Sequence, residues 1–330
     1  MTIPTIKLGA GPEVSRIALG CMGMAGMYGD ADEAEGVATI HAALDRGVTL
    51  LDTGDFYGTG RSELMIGRAL RERHDRRDGA VLSVKSGVLR GPDGSFLGMD
   101  CRPVAIKNAL TYSLTRLGVD HIDIYRPSRL DPNVPIEDTI GAIAELVKAG
   151  YVRAIGLSEV GPETIRRAHA VHPISDLQIE YSLISRGPEA RIFPLLAELG
   201  IAVTAYGVLS RGLLAGSRPT GPRDMRAHLP RFAGENGERN QRLVAALERL
   251  AGARGVRPSQ LAIAWVLARG SSIIPVIGAR TRRQLDESLG ALAIQLTPAE
   301  LAGIEHAVPA SEVAGTRYAA PQMQTLDSER

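Results

Sequence analysis

The amino-acid sequence predicts a protein of the α/β class, folded as a single (β/α)8 TIM barrel domain over residues 1–330. Short apolar runs alternate with longer helical patterns almost from end to end, and such alternation requires a parallel sheet. Eight such runs favour closure of the sheet into a barrel, for which 330 residues is a suitable length. An open doubly wound sheet is the competing architecture, but no Gly-x-Gly-x-x-Gly motif follows the first run.

The individual elements follow from the apolar periodicity and from the residues at the helix ends. Strands are predicted at residues 17–20, 49–53, 80–85, 121–125, 152–158, 177–181, 202–206 and 272–277. Helices are predicted between them, at residues 34–46, 62–70, 103–117, 136–149, 162–171 and 192–199. Gly118 and Gly200 lie just past a helix, where a left-handed residue is favoured, and Pro103 lies at a helix start.

Two segments fall outside the strand–helix repeat. Before Ile17, two short extended pieces flank residues 9–12, and they predict a β-hairpin that plugs the bottom of the barrel. Residues 216–237 are rich in Pro and Gly and too long for an ordinary connection, which predicts a long lid loop before the last strand. Together with loops at residues 22–28 and 89–99, this loop is expected to form the pocket walls.

Composition and charge exclude several classes of function. The formal net charge of +1 favours neither nucleic acid nor an anionic membrane as a partner. No apolar run reaches the roughly 18–20 residues of a membrane span, and the amino terminus lacks the pattern of a signal peptide. Cys21 and Cys101 give neither a disulfide framework nor a zinc-binding spacing, so we expect no metal site and a cytoplasmic location.

An acid, a phenol and an amine are expected to meet at the carboxyl ends of two neighbouring strands. Asp52 lies at the end of the second strand, Tyr57 lies in the loop after it, and Lys85, one of four lysines, ends the third strand. A phenol with a pKa near ~10 is a poor acid at neutral pH, but a nearby ammonium favours its ionised form. Tyr57 is therefore predicted to give a proton to a carbonyl oxygen, although each residue alone would suit an ordinary structural role.

Other strand ends indicate a nucleotide cofactor. Ser158 and Gln178 could hold a carboxamide, and Tyr206 could stack on a planar heterocycle. After the last strand, Arg280 and residues 282–284 lie at a helix start, where backbone N–H groups and arginines bind anions. Two alternatives stay open: Arg282 and Arg283 could form a solvated helix face, and a phosphate-binding isomerase barrel would leave Tyr57 and Lys85 without a role.

Several segments together resemble the aldo-keto reductase family over nearly the whole chain. They are Leu19-Gly20-Cys21-Met22-Gly23-Met24, Leu51-Asp52-Thr53-Gly54-Asp55-Phe56-Tyr57-Gly58, Val84-Lys85, Asp131-Pro132-Asn133-Val134-Pro135-Ile136-Glu137, Ile155-Gly156-Leu157-Ser158, Leu177-Gln178-Ile179-Glu180-Tyr181-Ser182 and Arg211-Gly212-Leu213-Leu214. The resemblance implies a (β/α)8 barrel that binds NADPH and reduces small aldehydes or ketones. It gives no oligomeric state.

The resemblance also implies roles for individual residues. Tyr57 would be the acid, tuned by Asp52 and Lys85, and Arg280 would contact the 2′-phosphate, with Gln284 and Glu287 toward the adenosine. The loop with Arg231-Phe232 and Glu235-Asn236 would fold over the cofactor. The full set of implied cofactor-binding residues is Gly20, Cys21, Met22, Asp52, Ser158, Glu159, Gln178, Tyr206, Gly207, Val208, Leu209, Arg211, Ile277, Gly278, Arg280, Gln284, Glu287 and Ser288.

One departure from the family pattern bears on catalysis. Ser128 stands where the family usually has a histidine that orients the carbonyl, and a serine hydroxyl reaches less far. Loss of one donor to a developing oxyanion costs on the order of 10²–10³ in rate in other enzymes. Ser128 could thus suit a substrate with its own polar group, such as pyridoxal, as in relatives resembling pyridoxal reductases. Turnover could instead be slow, or the chain could be a cofactor-bound regulatory or scaffold subunit.

Two further departures concern the cofactor. Glu159 replaces the usual asparagine beside Ser158, which would reshape the carboxamide contacts. Residues 207–210 read Gly-Val-Leu-Ser where the family has a Ser-Pro-Leu-Gly pattern near the diphosphate. Both changes lie at strand ends that the resemblance assigns to the cofactor.

Overall fold

The computed structural model describes residues 3–27, 29, 31–73, 77, 79–219, 221 and 224–330. Within these ranges the strands are β1 Thr5–Lys7, β2 Glu13–Ser15, β3 Ala18–Gly20, β4 Leu50–Gly54, β5 Val81–Ser86, β6 Val88–Arg90, β7 Phe96–Met99, β8 Ile122–Pro127, β9 Val152–Ser158, β10 Ile174–Glu180, β11 Ala202–Tyr206 and β12 Ile273–Gly278. The α-helices are α1 Glu33–Asp45, α2 Arg61–Glu72, α3 Pro103–Leu117, α4 Ile136–Lys148, α5 Pro162–Val171, α6 Ile192–Leu199, α7 Gly234–Ala253, α8 Pro258–Ala268, α9 Arg282–Leu289, α10 Pro298–Ala307 and α11 Ala320–Met323.

Eight parallel strands close into a barrel in the order β3-β4-β5-β8-β9-β10-β11-β12, with β12 pairing back to β3. The predicted (β/α)8 barrel is confirmed. Helices lie between successive barrel strands, and the predicted left-handed residues after α3 and α6 have φ values of 69° at Gly118 and 67° at Gly200.

The barrel interior changes from apolar at the bottom to polar at the mouth. Inward-facing residues alternate along each strand. The lower inward positions form one apolar cluster, made by Ala18, Leu50, Ile124, Ala154, Ala202, Ile274 and Val276. Two positions further along the same strands stand Asp52, Arg126 and Thr204, so the polar chemistry begins one layer above this cluster.

The amino-terminal hairpin of β1 and β2 covers the bottom of the barrel, as predicted. Leu8 and Val14 are fully buried within the lower apolar cluster. Gly9 lies in the turn with φ +49°, and a Cβ there would be 2.5 Å from the Ser175 carbonyl oxygen and 2.7 Å from that of Gly200. The turn therefore contacts the barrel floor through glycine backbone.

The predicted lid loop is shorter than the sequence suggested, and it does not run directly into the last strand. Residues 220 and 222–223 lie outside the described residues, as does Tyr28 of another predicted loop. Short 3₁₀ turns occupy Met225–His228 and Pro230–Phe232, and α7 begins at Gly234, so residues 235 and 236 lie in a helix. Helices α7 and α8 separate the loop from β12.

Buried polar contacts explain this order in a segment rich in Pro and Gly. The Arg226 guanidinium binds the Asp224 carboxylate with Nη2 2.6 Å from Oδ2, and it also reaches Ser217 Oγ at 2.8 Å. The segment 89–99, read as a loop, is likewise ordered, as the β6–β7 hairpin.

Candidate active site

Three side chains meet at the barrel mouth, where the carboxyl ends of β4 and β5 lie side by side. Lys85 Nζ lies 2.6 Å from Asp52 Oδ2 and 5.0 Å from the centre of the Tyr57 ring. The exposed fractions are 5% for Asp52, 8% for Tyr57 and 3% for Lys85. The structure thus brings together the acid, the phenol and the amine named from the sequence.

The second carboxylate oxygen of Asp52 is also held in place. Ser83 Oγ donates to Asp52 Oδ1 at 3.1 Å, and Gln178 Nε2 donates to the same oxygen at 2.7 Å. Three donors from two strands, Lys85 and Ser83 on β5 and Gln178 on β10, therefore fix the orientation of Asp52. The amide nitrogen of Gln178, expected from the sequence at a cofactor carboxamide, here contacts Asp52.

A tight turn after β4 places the phenol. The Tyr57 backbone N–H donates to the Gly54 carbonyl oxygen at 3.0 Å. Gly58 has φ +57°, and a Cβ there would lie 2.9 Å from the Ala25 carbonyl oxygen, so glycine fits this position best. The Phe56 ring packs edge-on against Tyr57 with ring centres 4.8 Å apart, which restricts the phenol further.

Opposing influences act on the Lys85 amine. Burial lowers its pKa, the Asp52 carboxylate raises it, and the charges of Arg126 and Arg129 lower it again, with a net lowering. The carboxylate of Asp52 is therefore the contact that favours a charged amine beside Tyr57.

A second buried ion pair lies one layer below the first. Arg126 Nη1 is 2.7 Å from Asp176 Oδ2 and Nη2 is 3.2 Å from Oδ1, and both side chains have no exposed surface. Thr204 Oγ1 donates to Asp176 Oδ2 at 2.5 Å. Arg126 Nη2 also donates to Ser83 Oγ at 3.0 Å, and Ser83 in turn donates to Asp52. The two ion pairs are thereby joined by one hydroxyl group.

Ser128, the residue at the family's histidine position, directly follows β8 and is 2% exposed. Its backbone N–H donates to the Ser86 carbonyl oxygen at 2.8 Å, which continues the β5–β8 pairing to the barrel rim. The neighbouring Arg129 reaches across the mouth, with Nη1 2.6 Å from the Ser128 carbonyl oxygen and 3.3 Å from Ser158 Oγ.

The carboxyl-terminal segment of the chain binds Glu159, which follows β9. Arg317 makes a two-bond contact to the Glu159 carboxylate at 2.8 Å and 2.8 Å, and Ser328 Oγ donates to it at 2.6 Å. The Tyr206 hydroxyl donates to Glu159 Oε1 at 2.7 Å and lies 3.0 Å from the Tyr318 hydroxyl. Glu159 therefore has its carboxylate saturated by protein groups.

The charge of Glu159 is strongly favoured in these surroundings. Burial raises the pKa of its carboxyl group, but the hydrogen bonds and the charge of Arg317, together with the charge of Arg129, lower it to about 2.

A further acid, Glu180 at the end of β10, forms ion pairs with three arginines, one of which is Arg317 at 3.6 Å. Arg211 Nη2 lies 3.1 Å from Glu180 Oε2, and Arg231 Nη1 lies 3.3 Å from Oε1. Gly207, with φ +66°, lies against Glu180, since a Cβ at Gly207 would be 3.0 Å from Glu180 Cγ. Arg211 also stacks on the Tyr318 ring at 4.5 Å.

The expected adenosine end lies around the start of α9. The Arg280 backbone N–H donates to Gln284 Oε1 at 2.8 Å. Arg282 binds the Glu35 carboxylate through its side chain and its backbone N–H, each at 2.9 Å. A carboxylate thus already occupies part of the anion position that the sequence assigned to Arg282.

The remaining residues of the implied cofactor set lie at strand ends or on α9. Ser259 Oγ donates to Glu287 Oε1 at 2.5 Å, and Ser288 is buried beside it on α9. Of the others, Cys21, Val208 and Ile277 are buried, whereas Gly20, Met22 and Leu209 are partly exposed.

The donor set fits a nicotinamide dinucleotide laid across the mouth. Gly278 ends β12 in an exposed position, and a Cβ there would meet no atom within 4 Å, so a ligand could approach its backbone. Ser210 Oγ is buried without a hydrogen-bond partner among the described residues. Ser210 and Arg211 have positive φ values of 46° and 56°, a strained conformation that is common at ligand sites.

Other kinds of site are not found in the part of the chain that the structure describes. There, no group of three or more His, Cys, Asp or Glu side chains could hold a metal ion. Among the described helices, none combines the length and the apolar character needed to cross a membrane.

Sequence reasoning missed two parts of this site. Arg126 and Asp176 could have been found from the two-residue spacing that makes Ile124 and Gln178 face inward on the same strands. Arg317 and its neighbours in the carboxyl-terminal segment carry no pattern that would bring them to the barrel mouth, and only the fold shows their position.

Comparisons with known proteins agree with this architecture. Residues 16–309 match the Aldo/keto reductase family. The probable aldo-keto reductase 1 of Glycine max is 42% identical over 325 residues, which cover 96% of this chain and 92% of that protein. The aldo-keto reductase yakc [NADP(+)] of Schizosaccharomyces pombe is 39% identical over 327 residues, which cover 96% of this chain and 95% of that protein.

Solved structures give the same result. The glycerol dehydrogenase AKR11B4 of Gluconobacter oxydans aligns with a TM-score of 0.82 at 32% identity, covering 94% of this chain and 96% of that one. The holo form of the aldo-keto reductase AKR11C1 of Bacillus halodurans aligns with a TM-score of 0.78 at 28% identity, covering 93% and 97% of the two chains.

Proposed function

Because this chain belongs to the aldo/keto reductase family, and is an oxidoreductase of carbonyl compounds, we propose that it reduces aldehydes or ketones with NADPH and that Tyr57 is the proton donor. The observation that carries the proposal is the Lys85 amine, held 2.6 Å from Asp52 and 5.0 Å from the centre of the Tyr57 ring. A buried phenol beside a buried ion pair suits proton transfer at a barrel mouth.

The proton step follows from the charges around the phenol. Tyr57 Oη gives its proton to the carbonyl oxygen as negative charge develops there. The ammonium of Lys85 stabilises the phenolate left behind, and Asp52 Oδ2 keeps that ammonium charged and aimed. Ser83 and Gln178 hold the other oxygen of Asp52, so the ion pair is oriented before the substrate arrives.

Ser128 is proposed to orient the carbonyl group. It directly follows β8 at the barrel rim and is nearly fully buried. A serine hydroxyl donates one hydrogen bond, and its short reach favours a substrate that comes close to β8 or brings its own polar group, as pyridoxal would.

The cofactor site proposed for NADPH uses the strand ends around the mouth. When bound, NADPH supplies the hydride. Ser158 is proposed to contact its carboxamide, Tyr206 to lie against its ring and Arg280 to contact its 2′-phosphate. The relative from Schizosaccharomyces pombe carries NADP(+) in its name, which supports the choice of the phosphorylated form.

The test compares wild type with Tyr57→Phe in an assay that follows NADPH absorbance with a panel of aldehydes. Tyr57→Phe is expected to lower kcat by about 10²–10⁴-fold, because general acid catalysis is worth that much, while NADPH binding measured by fluorescence stays unchanged. Tyr125→Phe is the control: it removes a fully buried tyrosine hydroxyl, which donates to the Ile106 carbonyl oxygen, and it should retain activity.

Two results would contradict the proposal. Retention of activity in Tyr57→Phe would remove the proton donor from the mechanism. Tight NADPH binding without turnover of any aldehyde would favour the alternative suggested by Ser128, in which the chain is a cofactor-bound regulatory or scaffold subunit.

A further inference from the structure

The barrel mouth contains several cations, and most of them have a carboxylate partner. Lys85 is paired with Asp52. Similar pairs lie around it: Arg126 with Asp176, Arg317 with Glu159, and both Arg211 and Arg231 with Glu180. Each of these carboxylates therefore already has a cationic partner.

Arg129 differs from its neighbours. In the described part of the chain, no carboxylate oxygen lies within 4.0 Å of its guanidinium nitrogens, the limit for an ion pair. Its Nη1 atom contacts two neutral oxygens, the Ser128 carbonyl and the Ser158 hydroxyl. Its Nε and Nη2 atoms make no hydrogen bond to described residues, and neither is sealed from solvent. The N–H groups of Nε and Nη2 can therefore still donate hydrogen bonds to a ligand at the barrel mouth.

The side chain stays charged in this position. Burial lowers the pKa of Arg129, but the hydroxyls of Tyr206 and Tyr318, the carboxylate of Glu159 and the hydroxyl of Tyr57 raise it, with a net rise. The contacts of Arg129 with Ser128 and Ser158 place it at the carboxyl ends of β8 and β9, at the same barrel mouth as the proposed proton donor. Glu159 acts on Arg129 only from beyond ion-pair distance and is itself bound by Arg317, so no anion contacts this half-buried guanidinium. A planar guanidinium matches the oxygens of a carboxylate or a phosphate.

We propose that Arg129 binds an anionic group of the substrate, and that this chain acts on carbonyl compounds that carry a carboxylate or a phosphate. The proposal rests on carbonyl reduction at Tyr57. Arg129 Nη1 lies 2.6 Å from the Ser128 carbonyl oxygen, so an anion bound at Arg129 would hold the substrate at the end of β8, close to Ser128. This would offset the short reach of the serine, because the anchor reduces the freedom of the substrate.

The experiment uses matched substrate pairs with the full chain and NADPH. Para-carboxybenzaldehyde is compared with benzaldehyde, and glyceraldehyde phosphate with glyceraldehyde, so that the two pairs distinguish a carboxylate from a phosphate. Wild type is expected to prefer the anionic member of at least one pair. Arg129→Met should lower kcat/KM for that member by about 10–100-fold and change the neutral member little. Arg129→Lys should keep part of the preference, and higher salt should weaken it.

A surface arginine provides the control. Arg166 forms an exposed ion pair with Glu198 at 2.8 Å, and Arg166→Met removes the same charge from the chain without touching the mouth. It should leave the preference for the anion unchanged. Equal kcat/KM for both members of each pair in wild type would refute the proposal. So would an equal loss for both members in Arg129→Met together with weaker NADPH binding, since Arg129 would then serve the cofactor.

A binding measurement separates this proposal from the proposed reduction. If no aldehyde is turned over, the reductase assignment fails, and titration calorimetry with para-carboxybenzyl alcohol and benzyl alcohol still tests Arg129. Tighter binding of the carboxylate compound by wild type, lost in Arg129→Met, would support the anion site. Equal binding of the two alcohols would overturn it.

Discussion

The buried pair of Arg126 and Asp176 allows a quantitative test of how the candidate active site is supported. Arg126→Met removes the cation and leaves the Asp176 carboxylate with donors from Thr204 and from Ser175 Oγ at 2.8 Å. Both partners are fully buried, so water cannot reach the unpaired Asp176 carboxylate unless the structure unfolds locally. Breaking a buried pair in this way costs about 3–5 kcal/mol.

That cost corresponds to a measurable shift in melting temperature. With an unfolding entropy of about 2.1 cal/mol/K per residue, a chain of 330 residues should melt about 4–7 °C lower. The double variant Arg126→Met with Asp176→Leu should recover most of this loss, because replacing both charges by apolar groups is often neutral or stabilising. Thermal unfolding and guanidinium titration of the two single variants and the double variant give the coupling energy.

The surface pair of Arg166 and Glu198 is the matched control. It has the same two-bond geometry, at 2.9 Å and 2.8 Å, but its side chains are 54% and 58% exposed. Arg166→Met should therefore cost less than about 1 kcal/mol. The reasoning would be refuted if Arg126→Met also cost less than about 1 kcal/mol of unfolding free energy. It would also be refuted if the double variant lost more unfolding free energy than the two single variants lose together.

Two smaller predictions concern a helix contact and a buried acid. Gly67→Ala should destabilise the fold despite the better helix propensity of alanine, because the added Cβ would lie 2.6 Å from the Arg116 carbonyl oxygen. Gly141→Ala has open space around the added Cβ, so its free energy of unfolding in denaturant titrations should rise by up to about 1 kcal/mol. Burial and the charge of Glu63 raise the pKa of Asp55 to about 7 from 3.8. The native state then binds this proton more tightly, so stability should fall by up to about 4 kcal/mol between pH 4 and 7, and Asp55→Asn should remove that fall; an unchanged slope would contradict it.

The barrel was predictable because apolar runs and helix-end residues act locally. The strands β9 and β11 and the helices α3, α5 and α6 have the bounds that the sequence gives. The start of β10 was missed, since Ser175 and Asp176 are polar and ended the apparent run. In the fold they are fully buried, because Arg126 from β8 neutralises Asp176 across the barrel. Such a pair depends on strand order, which a local pattern does not contain.

The meeting of Asp52, Tyr57 and Lys85 was predictable for a related reason. Asp52 and Lys85 end consecutive strands, and consecutive strands of a parallel barrel are neighbours, so their proximity follows from chain order. The partners of Asp52 on β10 and of Glu159 in the carboxyl-terminal segment come from distant parts of the chain. These contacts depend on the closure of the barrel and on the path of the last residues, and the spacing of residues in the sequence predicts neither.

Glu159 illustrates why a departure from a family pattern needs the fold for its interpretation. Its backbone has φ +53°, a conformation that asparagine tolerates better than glutamate and that costs free energy for a longer side chain. Such strain persists only where the surroundings fix the residue, and here Arg317, Ser328 and Tyr206 bind its carboxylate. The sequence alone predicts a weakened or reshaped carboxamide contact at this position. The structure adds an attachment point for the carboxyl-terminal segment, which brings Tyr318 within 3.0 Å of the Tyr206 hydroxyl, so the last residues of the chain form part of the mouth wall.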